Sequence, residues 1–222
     1  MNSSLARKYW MAISGLFLIV FLAQHFSINF LSVISKDAFN EVSHFMGTNP
    51  MVQFLLQPVL MAGVMFHFIM GFILELKNRQ SRPVKYAAFN PAANSSWMSR
   101  NMIVSGLMVL LFLALHFYDF WIPEINIKYI QGDTSGLLHD GNGYRYYEEL
   151  VHKFTDPVRV ALYVLSFLFL SLHLLHGFQS AFQSVGARHP KYYPTIQKVG
   201  TLYAVAIPVG FALIALYHFF TH

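Results

Sequence analysis

Cysteine is absent from this chain of 222 residues, and charged residues are scarce. The absence of cysteine excludes thiolate ligands for an iron–sulfur cluster or a haem, covalent C-x-x-C-H haem attachment, and disulfides within the chain. Charged residues make up 11% of the chain, whereas a soluble domain carries about a quarter. So few charges do not cover a water-soluble globule, which excludes an ordinary soluble protein.

Long apolar runs take the place of charged surface, since 55% of the residues are hydrophobic. A helix needs about 20 mainly apolar residues to cross a bilayer. Five stretches reach this length, roughly at 10–32, 51–74, 102–120, 158–182 and 199–220. The sequence therefore predicts an all-α fold, a single integral membrane domain over residues 1–222 with five transmembrane helices. We expect the turn-rich segment at about 121–157 to form an external cap with a short helix near Tyr146–Lys153.

The charges between the apolar runs differ in sign on the two sides of the predicted bundle. Acidic residues outnumber basic ones in the cap, and basic residues dominate the other side. The basic residues are Arg7, Lys8, Lys77, Arg79, Arg82, Lys85, Arg100, Arg188, Lys191 and Lys198. Because cationic loops stay cytoplasmic, we expect a cytoplasmic N-terminus and a multi-pass protein of the cell's inner (cytoplasmic) membrane. The net charge of +5 is then a topology signal, and we expect no nucleic acid partner.

Each of the first four spans contains a histidine, His25, His67, His116 and His173, and His176 lies beside the last of these. An intramembrane histidine is costly and marks a functional candidate. By helical rise, His25 and His116 lie about 15 residues, roughly 22 Å, along outward-running spans. His67 and His173 lie equally far along inward-running spans. Paired imidazoles saturate haem iron for electron transfer. The two histidine pairs therefore predict an outer haem b at His25 and His116 and an inner haem b at His67 and His173. The haems would lie in a core of four helices, with the fifth helix outside it.

Part of the sequence repeats around these histidines. The segment Ser14–His25 matches Ser105–His116 at seven of twelve positions. About three helical turns separate the serine from the histidine in each segment, so the two share a helix face. In spans two and four, Gly71 and Gly177 each follow the histidine by one turn. Such a glycine leaves room for a porphyrin edge or a neighbouring helix.

Other interpretations of the histidines stay open. A single membrane histidine also hydrogen-bonds neighbouring helices, and small-xxx-small patterns commonly serve packing. Zinc is disfavoured, because no three or four ligands fall at one depth. His176 competes with His173 for the last ligand position, because residues three apart share a helix face. We choose His173, whose spacing to its glycine copies that of His67.

Several segments, taken in order and with their spacing, resemble a known family. They are Phe21–His25 with Asn29, Phe39–Met46, Phe66–His67 with Gly71, His116, and His173–Gly177 running into Ser184–Gly186. The chain resembles the single-chain, dihaem cytochrome b membrane anchor of succinate dehydrogenase and fumarate reductase (succinate:quinone oxidoreductase). The resemblance covers essentially the whole chain.

The resemblance implies partners and a role. A cytoplasmic flavoprotein subunit and an iron–sulfur subunit would carry the dicarboxylate chemistry, so we expect no catalytic residue in this chain. Electrons would pass between the iron–sulfur subunit, the two haems b and a membrane quinone, commonly menaquinone. The basic loops, especially Lys77–Lys85 and Arg188–Lys191, would form the docking surface. The sequence leaves open whether the reaction runs as succinate oxidation in the tricarboxylic acid cycle or as fumarate reduction. It also leaves open whether whole complexes form oligomers.

A quinone site on the outer side needs proton-accepting groups near the outer haem. The candidates are Glu41 and His44 in the first loop and Gln57 at the mouth of span two. Some family members carry a carboxylate two residues before the fourth ligand that is implicated in proton transfer. The residue here is Ser171, which puts that proton route in doubt.

Two alternative functions remain at this point. One is the cytochrome b anchor of another respiratory enzyme, such as a nitrate reductase, formate dehydrogenase or hydrogenase. Those anchors often place two ligand histidines on one helix, whereas here each of four successive helices has one well-placed ligand candidate. The other is a haem-free membrane transporter or structural protein that uses its histidines for packing or proton relay.

Overall fold

The structure, a computed structural model, describes residues 4–80, 101–138 and 141–222. Within these residues, five helices are long and apolar enough to cross a membrane: Leu5–Ile34, Val52–Gln80, Met102–Ile130, Pro157–Ser184 and Tyr193–Thr221. In the described part of the chain, β-type pairing is limited to one isolated bridge between Leu137 and Tyr144. The predicted all-helical architecture with five candidate spans is thus confirmed. Arg82, Lys85 and Arg100 lie outside the described residues.

The helices include shorter elements beside the spans. In chain order they are α1 (Ser4–Ile34), α2 (Lys36–Thr48), α3 (Gln57–Gln80), α4 (Met102–His116), α5 (Ile122–Ile125), α6 (Tyr146–Phe154), α7 (Pro157–Ser184) and α8 (Tyr193–Thr221). Helix α6 is the short cap helix that the sequence predicted. Three π-helical segments extend the spans: Val52–Leu56, Phe117–Trp121 and Asn126–Ile130. Such wider turns are rare and often accompany functional sites.

The third span is longer than the sequence predicted. The apolar run ends near Phe120, but the helical backbone continues through both π segments and α5 to Ile130. Asp119, next to the predicted end of this span, is 1% exposed. Partners on α7, Arg159 and Tyr163, bind its carboxylate, and this pairing lets a charged residue remain inside the helix.

The first loop is also helical. Helix α2 begins after Ser35, whose side chain accepts a hydrogen bond from the Ala38 amide, as serine does at many helix starts. One face of α2 buries Phe39 and Asn40. The Asn40 side chain donates to the Tyr144 carbonyl at 2.9 Å and accepts from the Tyr147 amide at 2.8 Å. Helix α2 therefore lies against the cap, a position that local sequence does not reveal.

The outer surface of the bundle is apolar. Large side chains on the spans remain more than half exposed, for example Val20 at 71%, Leu111 at 58% and Leu213 at 61%. A water-soluble protein rarely exposes apolar area on this scale. Such a surface suits the hydrocarbon core of a bilayer.

The first four spans pack as a ring. Helix α1 lies against α3 and α7, while α4 lies against α7 and, less closely, α3. This order places α1 diagonally opposite α4, and α3 diagonally opposite α7. Helix α8 packs on the outside of the ring, against α7 and α1. Its Gly210 admits the Phe26 ring of α1, since a Cβ there would lie 2.4 Å from that ring.

A buried charge cluster joins the cap to the bundle. The Glu124 carboxylate pairs with Lys128 at 2.6 Å and with Arg145 at 2.5 Å, and Arg145 also pairs with Glu149 at 2.6 Å. Lys128 and Arg145 are only 5% and 8% exposed, and Lys128 also donates to the Gly47 carbonyl of α2. Burial, opposed by Arg145, raises the pKa of Glu149. Two cations and two carboxylates thus neutralise one another in the cap.

Candidate cofactor site

Two histidines on diagonal helices meet at the cap end of the ring. The His25 ring of α1 lies 5.7 Å from the His116 ring of α4, measured between centroids, with an interplanar angle of 82°. Aromatic rings surround the pair: Phe21 stacks on His25 at 5.4 Å, and Phe112 lies 5.8 Å from His116. These imidazoles therefore face each other in an apolar enclosure.

The other diagonal carries a second pair. The His67 ring of α3 lies 6.4 Å from the His173 ring of α7, at an interplanar angle of 71°. All four histidines are half-buried residues. Of the two histidines that compete on α7, His173 rather than His176 makes the ring contact with His67.

The separations within both pairs fit a shared metal ion. An imidazole nitrogen binds a metal at about 2 Å, so two imidazoles on opposite sides of one ion have ring centres roughly 6 Å apart. The measured 5.7 and 6.4 Å lie on either side of that value. Neutral imidazole is a usual axial ligand of haem iron, so both donor pairs fit a bis-imidazole haem.

The two pairs occupy different levels of the bundle. Ser14 of α1 contacts His67, and His25 lies about three turns, roughly 16 Å, further along the same helix. On α4, Ser105 contacts His173, with His116 the same distance beyond it. The ring of four helices therefore holds one histidine pair toward the cap and the other toward the opposite end.

Each histidine of the second pair touches a serine of an adjacent helix. The Ser14 Oγ lies 3.0 Å from His67 Nδ1, and the Ser105 Oγ lies 3.4 Å from His173 Nδ1. Both serines are buried. The sequence repeat had marked these serines as equivalent, but it did not reveal that they contact the histidines of the other two helices.

The glycines that follow the second pair face methionine side chains of adjacent helices. A Cβ at Gly71 would lie 3.5 Å from the Met11 methyl, and a Cβ at Gly177 would lie 3.3 Å from the Met102 methyl. Met11 and Met102 each precede a repeat serine by three residues. A side chain at Gly71 would thus make an ordinary contact with the adjacent helix, whereas one at Gly177 would be tight against it.

The donors occur in pairs and not in larger clusters. Among the residues that the structure describes, no group of three or more His, Cys, Asp or Glu side chains could hold a metal ion. A protein zinc site needs three or four such ligands, whereas a haem brings its own four nitrogen ligands and needs two from the protein.

A charged group near the cap-end pair escaped the sequence reasoning. The Asp119 carboxylate, one turn beyond His116, pairs with Arg159 of α7 and accepts a hydrogen bond from the Tyr163 hydroxyl at 2.9 Å. The side chain of Asp119 has no exposed surface, and that of Arg159 is 24% exposed. The only sequence signal was a carboxylate just before the end of an apolar run, which also describes an ordinary loop residue.

The residues predicted to bind a quinone do not form one cluster. His44 of α2 stacks on Tyr144 with centroids 4.0 Å apart, and its Nδ1 lies 3.5 Å from the Tyr146 hydroxyl. Burial raises the pKa of Tyr146 to about 12. Glu41 is exposed on α2, and Gln57 is half-buried at the start of α3. His44 alone of the three lies in an aromatic enclosure.

No protein-family model, curated protein or solved structure matches this chain. The function is therefore inferred from the side chains and their geometry.

Proposed function

We propose that this chain is the membrane-anchor cytochrome b subunit of a succinate:quinone oxidoreductase. His25 and His116 would hold one haem b, and His67 and His173 the other. The observation that carries the proposal is the presence of two imidazole pairs, each on diagonal helices and near 6 Å across, at levels roughly 16 Å apart. When bound, the haems would supply one-electron transfer at two depths of the membrane.

The protein's contribution is to hold the ligands apart and to keep water out. The diagonal placement on four packed helices sets the distance between the rings in each pair, because each helix is held by its two neighbours. Aromatic side chains such as Phe21, Phe112 and Phe120 enclose the cap-end pair. A hydrophobic shell of this kind is one of the features by which a protein sets a redox potential.

The two ends of the bundle differ in chemistry, which suits a donor at one end and an acceptor at the other. The end opposite the cap carries Arg79, Arg188, Lys191 and Lys198, and the positive-inside rule makes it cytoplasmic. An iron–sulfur subunit, itself joined to a flavoprotein subunit, would dock there. A quinone such as menaquinone would react at the cap end, where His44 and Tyr146 offer proton-exchanging groups.

Purification of the chain followed by a pyridine haemochrome assay and a dithionite-reduced minus oxidised spectrum tests the haem assignment. We expect two haems b per chain. His152→Ala, a change on the cap helix, is the control and should leave this number at two. A protein that stays colourless when haem is added would make the histidines packing or proton-relay groups and would refute the proposal.

Affinity purification from native membranes in mild detergent tests the assignment to succinate:quinone oxidoreductase. We expect a flavoprotein and an iron–sulfur protein to accompany the tagged chain, and the complex to reduce a quinone with succinate. The isolated chain should not oxidise succinate. Two haems b together with a hydrogenase, formate dehydrogenase or nitrate reductase partner would keep the cytochrome assignment and reject the succinate enzyme.

A further inference from the structure

The two serines of the sequence repeat, Ser14 and Ser105, contact the histidines of the second pair. Ser14 lies on α1 and His67 on α3, while Ser105 lies on α4 and His173 on α7. Each serine therefore reaches from one haem-binding helix to its neighbour, although its own helix carries a ligand of the other pair. The same contact occurs twice, through two separate copies of the repeat.

The direction of these hydrogen bonds follows from the hydroxyl groups. The Ser14 hydroxyl donates its one proton to the Met11 carbonyl at 2.9 Å, and the Ser105 hydroxyl donates to the Met102 carbonyl at 3.0 Å. Each serine oxygen can then only accept from the imidazole. With the hydroxyl protons on the methionine carbonyls, the Nδ1 atoms of His67 and His173 carry the ring proton, which leaves the lone pair on Nε2 of each ring.

We propose that Ser14 and Ser105 are positioning residues that fix His67 and His173 in the tautomer that presents Nε2 to the iron. The inference rests on the proposed haem function. A hydrogen bond from Nδ1–H makes the imidazole a more basic ligand, and a more basic ligand stabilises the oxidised iron. The serines thus lower the reduction potential of one haem of the two.

The cap-end pair has a different environment. His116 Nδ1 is buried without a hydrogen-bond partner within the part of the chain that the structure describes. Beside the His25 ring lies the Asn29 amide, whose nitrogen is 3.4 Å from Nδ1 and 3.5 Å from Nε2 and donates to the His25 carbonyl at 2.8 Å. Among the described residues, neither ring forms a hydrogen bond with a serine. The serine effect should therefore reach only the haem of His67 and His173.

Spectroelectrochemical titration of Ser14→Ala and Ser105→Ala tests the proposal. We expect both variants to keep two haems b, with one reduction potential raised and the other unchanged. The shift should be larger for Ser14→Ala, because its contact is shorter. Ser27→Ala on α1 and Ser166→Ala on α7 are matched controls, since these hydroxyls donate to backbone carbonyls, Ala23 and Leu162, on exposed faces. They should shift neither potential.

Other outcomes overturn the proposal. These are unchanged potentials in both alanine variants, equal shifts of both haems, or the same shift in the controls. If Ser14→Ala loses a haem, Ser14→Thr distinguishes hydrogen bonding from packing. Threonine keeps the hydroxyl and should restore the haem count and the wild-type reduction potential. If Ser14→Thr also lacks the haem, the role of Ser14 is packing.

A haem-free measurement separates this proposal from the haem assignment. Nitrogen-15 NMR of histidine-labelled protein should show Nδ1-protonated His67 and His173 in the wild type and mixed tautomers after the serine-to-alanine changes. A colourless wild type with locked tautomers would reject the haem and keep the serine contact. If the wild type binds two haems but shows freely mixed tautomers in its haem-free form, the haem assignment is kept and the serine contact is rejected.

Discussion

Arg159→Ala removes the cation that faces the buried Asp119 carboxylate near the cap. Asp119 has no exposed side-chain surface, so in the variant its carboxylate keeps the Tyr163 hydroxyl at 2.9 Å but loses its counter-ion. Removal of one partner from a buried ion pair costs about 3–5 kcal/mol. We expect the free energy of unfolding to fall by an amount in this range.

The reciprocal change should cost less. After Asp119→Ala, the charge left without its partner is on Arg159, whose side chain is 24% exposed, whereas the side chain of Asp119 has no exposed surface. The double change Asp119→Leu with Arg159→Met removes both charges together and should recover most of the loss, since well-packed apolar side chains often replace a buried ion pair without cost.

An exposed ion pair in the same chain provides the control. Lys36 and Glu148 keep 48% and 47% of their side-chain surfaces exposed, and a pair of this kind contributes at most about 1 kcal/mol. The assay is reversible unfolding by dodecyl sulfate in mixed micelles, followed by circular dichroism. If Arg159→Ala costs no more than Lys36→Ala, or less than Asp119→Ala, the inference that the buried Asp119 carboxylate depends on Arg159 is wrong.

Three further predictions concern the histidines and the cap. His25→Ala is expected to remove one haem b and spare the other, because the second pair lies about three turns away; a haemochrome count that falls to zero would contradict separate sites. His173→Ala should remove the other haem while His176→Ala should not, since only the former faces α3; the reverse spectra would transfer the ligand role to His176. Lys128→Met is expected to destabilise the cap by about 1–3 kcal/mol, because the Glu124 carboxylate loses a donor; unchanged hydrogen exchange of the α6 amides would contradict this.

The candidate site was partly predictable because helical rise is regular. Residues equally far along two spans reach similar depths, so His25 could be matched with His116, and His67 with His173, before any helix was placed. Depth alone does not say which helices are neighbours. That order decides that Ser14 touches His67 and that Met11 lies over Gly71.

Charged residues near span ends were the least predictable part. Asp119 and Lys128 have the local sequence of loop or interfacial residues, and local sequence carries no record of a distant partner. Their burial depends on Arg159 for the first and on Glu124 and the α2 backbone for the second. The same reason explains why the end of span three and helix α2 were missed.

By itself, the sequence of this protein determined five helices long and apolar enough to cross a membrane, and the relative levels of His25, His67, His116 and His173 along them. Apolar length and helical rise are properties of continuous segments. The tertiary structure decided which helices adjoin, which serine meets which imidazole, and where buried charges find partners. Those features depend on contacts between residues far apart in the chain, and such contacts form only when the helices pack.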